Sequence, residues 1–136
     1  MLKAADGKLR PMNDRDLELV LEWRNSYRIR ANMYSDHNIS MDEHKAWFER
    51  QKSSKSSVLL IFELKGRSVG LVSFSGIDYK NGRCTWGFYL GCENLPAGSG
   101  SMMGRLGIEY VFKQLGIRKL CGEAFAYNTS SIRFHK

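Results

Sequence analysis

The chain has 136 residues, and its 21 Lys and Arg against 14 Asp and Glu leave a formal charge of +7. That length suits one domain, because a single core usually serves about 100–150 residues. A content of 43% hydrophobic and 26% charged residues excludes a disordered chain, and no apolar run nears the roughly 18 residues that span a bilayer.

The first ten residues, MLKAADGKLR, lack the apolar stretch of a secretory signal, so a cytoplasmic protein is expected. Lys8–Pro11 reads as a short first strand. Asn13 or Asp14 then caps a helix in which Leu17, Val20 and Leu21 keep helical spacing, with EWRN (Glu22–Asn25) as its last turn. A second helical piece is expected over Ile29–Tyr34. Ser40-Met41-Asp42-Glu43 has the form of a capping box opening a helix to about Gln51, with His44, Trp47 and Phe48 on one side. Gln51–Ser57 (QKSSKSS) reads as a solvated link to the strand VLLIFEL (Val58–Leu64). Lys65-Gly66 turns the chain into a partner strand over Ser68–Ile77, and Asp78–Gly82 turns it again into Arg83–Gly91. Three strands joined by tight turns predict an antiparallel meander. A helix follows over about Ser101–Leu115, with Met103, Leu106, Tyr110, Val111 and Leu115 at core spacing and Gly116 as its C-cap. Lys119–Ala126 is the next strand, parallel to Arg83–Leu90 through a right-handed crossover, and a new helix begins at Ser130.

The cysteines, Cys84, Cys92 and Cys121, are odd in number, widely spaced and without a CxxC pair, which favours reduced thiols over disulfides or zinc. His37, His44 and His135 show no metal-ligand spacing, so no metal is expected. Trp23, Trp47, Trp86 and the Met102-Met103 pair read as core. The segment with most chemical content is LPAGSGSMMGRLGIEYVF (Leu95–Phe112), where Gly98-Ser99-Gly100 sits between a strand and a helix. Glycines let backbone approach a ligand, and a helix N-terminus adds free N–H groups and partial positive charge, which suits a phosphate or pyrophosphate. No GK[ST] follows, so it is not a Walker loop, and its late position after a meander argues against a Rossmann fingerprint.

A meander, a long strand, a Gly-rich helix start, a further strand and then Asn128 before a new helix resemble the GNAT acyltransferase superfamily. Ala97-Gly98-Ser99-Gly100-Ser101-Met102 stands at that family's (Q/R)-x-x-G-x-(G/A) pyrophosphate loop. It departs from the pattern at Ala97, where a basic residue is frequent, and at Met102, where a small one is common. Asn128-Thr129-Ser130-Ser131 matches the family's N-x-x-(A/S) signature. EWRN, MYSDHNIS (Met33–Ser40), EHKAWF (Glu43–Phe48) and NTSSIRFHK (Asn128–Lys136) look like the N-acetyltransferases of pseudaminic acid biosynthesis, which acetylate the 4-amino group of a UDP-linked amino sugar.

The resemblance implies an α/β (α+β) fold with a mixed, mostly antiparallel sheet flanked by helices, as one domain over 1–136. Because the chain stops a few residues into its final helix, a C-terminal part with two closing strands is expected to be missing. It implies acetyl-CoA as donor, held by Gly98, Ser99, Gly100, Ser101 and Met102, by the strand residues Phe88, Tyr89 and Leu90 against the pantetheine arm, and by Asn128 and Ser131. Arg24, Met33, Tyr34 and His44 match positions facing the UDP part, where Arg and His suit a diphosphate and Met or an aromatic suits uracil. Ser73 and Tyr89 match sugar-facing or catalytic positions. His135 stands where many relatives carry a Tyr as acid to the departing thiolate, and Glu123 is a candidate base.

Direct attack of an amine on the thioester is the mechanism implied, driven by positioning and oxyanion stabilisation. The partner expected is a small amine, with no membrane, and a homodimer is left open. Two alternatives stand beside it. RimJ/RimL-like relatives acetylate protein N-termini and others acetylate polyamines, and both share the WRN-type helix. A non-catalytic module binding nucleic acid rests on the net charge alone, and the scattered Lys and Arg residues disfavour it.

Overall fold

The computed structural model describes residues 3–26, 38–92 and 94–124. Five strands form one sheet in the order β1-β2-β3-β4-β5: β1 (Gly7–Pro11), β2 (Val58–Leu64), β3 (Arg67–Asp78), β4 (Arg83–Leu90) and β5 (Lys119–Ala124). The first four are antiparallel neighbours, and β5 runs parallel to β4. Among the described residues three α-helices cover the sheet: α1 (Leu17–Asn25), α2 (Met41–Ser53) and α3 (Ser99–Lys113). The meander and the parallel return strand agree with the sequence. The helix expected over Ile29–Tyr34 and the residues beyond Ala124 lie outside the described residues.

Alternation along the strands sorts side chains onto two cores. Val72 and Phe74 of β3 and Trp86 and Phe88 of β4 meet Met102, Met103 and Val111 of α3. On the other face Ile61, Leu71 and Tyr89 meet Val20 and Trp23 of α1 and Phe48 of α2. The sheet is therefore sandwiched, and its α1/α2 face carries Tyr89 and the helix ends around it.

Local chemistry explains the helix starts. Ser40 Oγ accepts the Glu43 N–H at 3.1 Å, and the Glu43 carboxylate accepts the Ser40 N–H at 3.4 Å, which is the reciprocal box read from the sequence. At α1 the cap works one turn earlier. Asn13 and Asp16 box a short 3-10 turn, and the helix proper begins at Leu17. The third helix starts at Ser99, two residues before the expected Ser101, because Gly98 at φ 88 already supplies its N-cap.

Arg10 ties the sheet to α1. Its guanidinium donates to both Asp16 oxygens at 2.8 and 2.7 Å, to Glu63 Oε2 at 2.7 Å and to Ser68 Oγ at 3.2 Å. Burial by itself would raise the Asp16 pKa, but the bonds from Arg10 and the Asn13 N–H outweigh it and hold the carboxyl below its usual value. A carboxylate with a depressed folded pKa stabilises above its unfolded pKa of about 4 and loses that contribution as pH falls through the folded value. Asp16→Asn is therefore expected to cost about 2 kcal/mol in urea unfolding at neutral pH, moderated by the part-exposure of Arg10, and to flatten the acid limb of stability against pH.

Candidate active site

Among the described residues two places carry groups suited to a charged or polar ligand, one at the N-terminus of α3 and one on the α1/α2 face of the sheet. The first is the Gly98 loop. Gly98 adopts φ 88, a left-handed conformation that a Cβ would strain, and the space where that Cβ would sit is open. The Ser99 hydroxyl and N–H both turn back to the Pro96 carbonyl, at 2.6 and 3.2 Å, so they brace the loop. The Met102 N–H donates to Gly98 O at 2.9 Å and its side chain lies in the α3 core. Met102 and Ser99 thus shape the turn, and the direct donor role expected of them is not the geometry seen. Gly100 and Ser101, in the first turn of the helix, have N–H groups with no intrahelical partner, and the helix has 15 residues of aligned peptide dipoles behind them. These groups fit an anionic diphosphate.

Beside this loop β4 runs to Leu90, while the described β4–β5 register ends at Phe88↔Ala124. Phe88 is buried in the α3 core, so what Phe88 can offer a ligand is backbone. Tyr89 points to the opposite face. Its ring meets Trp23 edge-on, with centroids 6.3 Å apart and planes at 88°. Its hydroxyl is buried and has no hydrogen-bond partner among the described residues. Burial pushes its pKa up, opposed by the charge of Arg24, so it is a neutral phenol with a free donor.

On this same face the end of α1 and the start of α2 hold a second cluster. Arg24 Nη1 donates to His44 Nδ1 at 3.0 Å, and its guanidinium lies 4.3 Å over the Trp47 ring. His44 stacks on Trp47 with centroids 5.4 Å apart and an interplanar angle of 15°. Asn25 clamps the backbone of Ile39 through two bonds, Nδ2–H to the carbonyl at 2.8 Å and Ile39 N–H to Oδ1 at 2.7 Å. That clamp fixes the end of α1 against the start of α2, so Arg24 and His44 meet.

His44 is 0% exposed and both its ring nitrogens are engaged, the second with Leu17 O at 2.8 Å. The direct diphosphate contact expected of it is therefore corrected: it stands behind Arg24, which is half-buried and bonded to no carboxylate among the described residues. Trp47, expected in the core, is partly buried against the core on this face and is also a platform for that guanidinium. The signal was present in EHKAWF, where Trp47 follows His44 by three residues and shares its helix face.

Ser73 sits on β3 opposite Gly87, and its Oγ donates a long bond of 3.4 Å to the Gly87 carbonyl. Glu123 lies opposite Gly87 from the other side in the β4–β5 register. Ser73, Gly87 and Glu123 thus form one row across three strands, next to Tyr89. Met33, Tyr34, Asn128, Ser131 and His135 lie outside the described residues.

The family model described as acetyltransferase (GNAT) domain matches residues 8–136. The chain belongs to the GNAT acetyltransferase family. It is an acyltransferase enzyme, and the donor of GNAT acetyltransferases is acetyl-CoA. No curated protein sequence matches it. Among solved structures this GNAT chain is similar to spermidine N-acetyltransferase from Vibrio cholerae in complex with CoA and spermine, with TM-score 0.80 and 16% identity over 96% of this chain and 78% of that one. It is similar to the Campylobacter jejuni N-acetyltransferase PseH, with TM-score 0.68 and 21% identity over 96% of this chain and 84% of that one. A domain from Methanocaldococcus jannaschii gives TM-score 0.78 and 24% identity over 95% of this chain and 84% of that one. At these identities the likeness establishes the fold. No helix among the described residues of this GNAT domain is long and apolar enough to cross a membrane.

Proposed function

We propose that this GNAT enzyme acetylates the primary amine of an anionic small molecule, the 4-amino group of a UDP-linked dideoxy amino sugar. The observation that carries the acceptor assignment is Arg24, a guanidinium held by a neutral side-chain partner and an aromatic platform, with no carboxylate bonded to it among the described residues. A preorganised cation of that kind attracts a diphosphate and repels a polycation such as spermidine. Under this reading Met33 and Tyr34 pack on the nucleoside, and Ser73 and Tyr89 face the sugar.

Acetyl-CoA, when bound, supplies the acetyl group as an activated thioester. The Gly100 and Ser101 amides and the α3 N-terminus would hold its diphosphate, the β4 backbone over Phe88–Leu90 would align its pantetheine arm, and Asn128 and Ser131 are the further residues that the family signature assigns to that arm. Amines are largely protonated near neutral pH, so the attacking nitrogen must first lose a proton. Glu123 takes that proton, and the His135 imidazole supplies one to the departing sulfur. Ser73 and the Tyr89 hydroxyl orient the acceptor through hydrogen bonds that are weak or unmade in the free enzyme.

The Tyr89 hydroxyl gives a separate test. A buried, unpaired donor destabilises the free protein, so Tyr89→Phe is expected to leave stability unchanged or raise it by up to about 1 kcal/mol, while turnover falls. Urea unfolding beside steady-state kinetics reads both. A Phe variant with full turnover removes Tyr89 from the site.

The substrate class is tested by thiol release from acetyl-CoA with a UDP-4-amino sugar, spermidine and a peptide N-terminus offered in parallel. The highest kcat/KM is expected with the nucleotide sugar. Preference for the peptide replaces this reading with a RimJ/RimL-like one, and preference for spermidine with a polyamine one. Nucleic acid that binds with a steep salt dependence, without thiol release from any amine, refutes catalysis altogether.

A further inference from the structure

We infer that His44 is a positioning residue for acceptor binding: in its neutral form it holds the Arg24 guanidinium in place, and its protonation releases Arg24. The role assigned to Arg24 rests on the anionic-acceptor reading above, whereas the pairing itself rests on geometry. An arginine only donates hydrogen bonds and a backbone carbonyl only accepts them. The bond from Arg24 at 3.0 Å therefore requires a lone pair on Nδ1, and the contact with Leu17 O at 2.8 Å requires a hydrogen on Nε2. One neutral tautomer satisfies both bonds, and no other protonation state does. A proton added at Nδ1 would face the guanidinium, turn an acceptor into a donor and set two cations in one buried contact.

The surroundings reinforce that choice. Burial and the charge of Arg24 both lower the His44 pKa, and the Leu17 carbonyl opposes them only in part. Arg24 is the charged group that α1 turns toward His44, while Glu18 and Glu22 of that helix are exposed. Glu43 and Arg50 of α2 and Tyr89 of β4 act on Arg24 with opposing signs. On β2, which also packs against α2, Glu63 is committed to Arg10 and Lys8. Among the described residues no carboxylate is bonded to His44 that would steady its charged form.

The sign of the effect follows. A histidine whose folded pKa lies below its unfolded value of about 6.5 is neutral at pH 7, and acidification charges it in the unfolded chain first. Folding stability falls as pH drops from about 6.5 to the folded pKa, and once His44 is charged Arg24 loses its anchor.

The test uses UDP-N-acetylglucosamine, which has no free amine and whose diphosphate diester keeps one charge state between about pH 5 and pH 8. Its dissociation constant is measured over that range for the wild type, His44→Gln and His44→Leu. Glutamine keeps an acceptor for Arg24 and a donor for Leu17 without titrating, and leucine keeps bulk alone. In parallel, NMR follows the His44 imidazole in the wild type and in Arg24→Gln. Expected results are an about tenfold loss of wild-type affinity once pH has fallen through the His44 titration that NMR reads, a flat profile for His44→Gln, and weak binding at every pH for His44→Leu. The His44 titration should move upward when the Arg24 charge is removed. An unchanged titration in Arg24→Gln, or an acid loss in His44→Gln equal to that of the wild type, overturns the inference. Absent binding of the nucleotide sugar at every pH, beside an Arg24-dependent His44 titration, overturns the acceptor reading and upholds the pairing.

Discussion

Arg24→Ala is expected to raise KM for the nucleotide-sugar acceptor about 10- to 100-fold while KM for acetyl-CoA changes little. Charge-assisted hydrogen bonds are worth about 1.5–3 kcal/mol, and each 1.4 kcal/mol is a factor of ten. The two ligands separate because Arg24 ends α1 on one face of the sheet, whereas Gly100 and Ser101 open α3. Arg24→Lys should recover part of the loss: it restores the charge but not the planar fork that lies over Trp47 and reaches His44. Steady-state kinetics with each substrate varied in turn measures the split. An equal rise in both KM values would mean that α1 had shifted as a body, and an unchanged acceptor KM would remove Arg24 from the site.

The second large effect is structural and reaches the same cluster. Gly91 follows β4, donates its N–H to Val69 O at 2.7 Å, and lies directly under the Trp23 indole, so a methyl group there would overlap that ring. Trp23 is 4% exposed and packs edge-on against Tyr89, leaving it no free side on which to yield. Gly91→Ala is expected to cost about 1–3 kcal/mol in urea unfolding, as overpacked cores do. Because Trp23 precedes Arg24 on α1, acceptor KM should rise as well. Indole fluorescence with Trp47 and Trp86 replaced would follow Trp23 directly. A fully stable Gly91→Ala protein with unchanged fluorescence would show that α1 rides over the substitution.

Much of the fold is local and was readable for that reason. VLLIFEL carries strand bounds that match those observed, since β-branched and aromatic residues end at the Lys65-Gly66 turn. The Ser40 box needs four consecutive residues and nothing else. Gly116 was expected as the C-cap, but the helix ends at Lys113 with Gln114 as its C-cap, and Gly116, at φ 67, instead makes the turn beyond it, with the Ile117 N–H bonded back to Val111 O at 3.0 Å. Helix starts at Asn13 and Gly98 were displaced because 3-10 turns and left-handed caps depend on φ values that residue identity constrains only loosely.

The site was legible in its residues and not in their roles. Sequence resemblance names Arg24 and His44 as a pair of like function, yet the fold makes one the anchor of the other. Likewise Met102 and Ser99 belong to the Gly-rich run, but packing turns one into core and the other into a loop brace.

Length and composition determined a core-forming chain with an excess of positive charge, and the periodicity of apolar residues determined which strands and helices build it, because those are properties of short stretches of chain. The +7 charge said nothing of where a cation would matter. Tertiary structure decided that, by bringing Arg24, His44 and Trp47 together from two helices and leaving the Tyr89 hydroxyl without a hydrogen-bond partner among the described residues beside them. Contacts between residues 20 or more positions apart depend on how the helices cross the sheet, and no local pattern specifies that crossing.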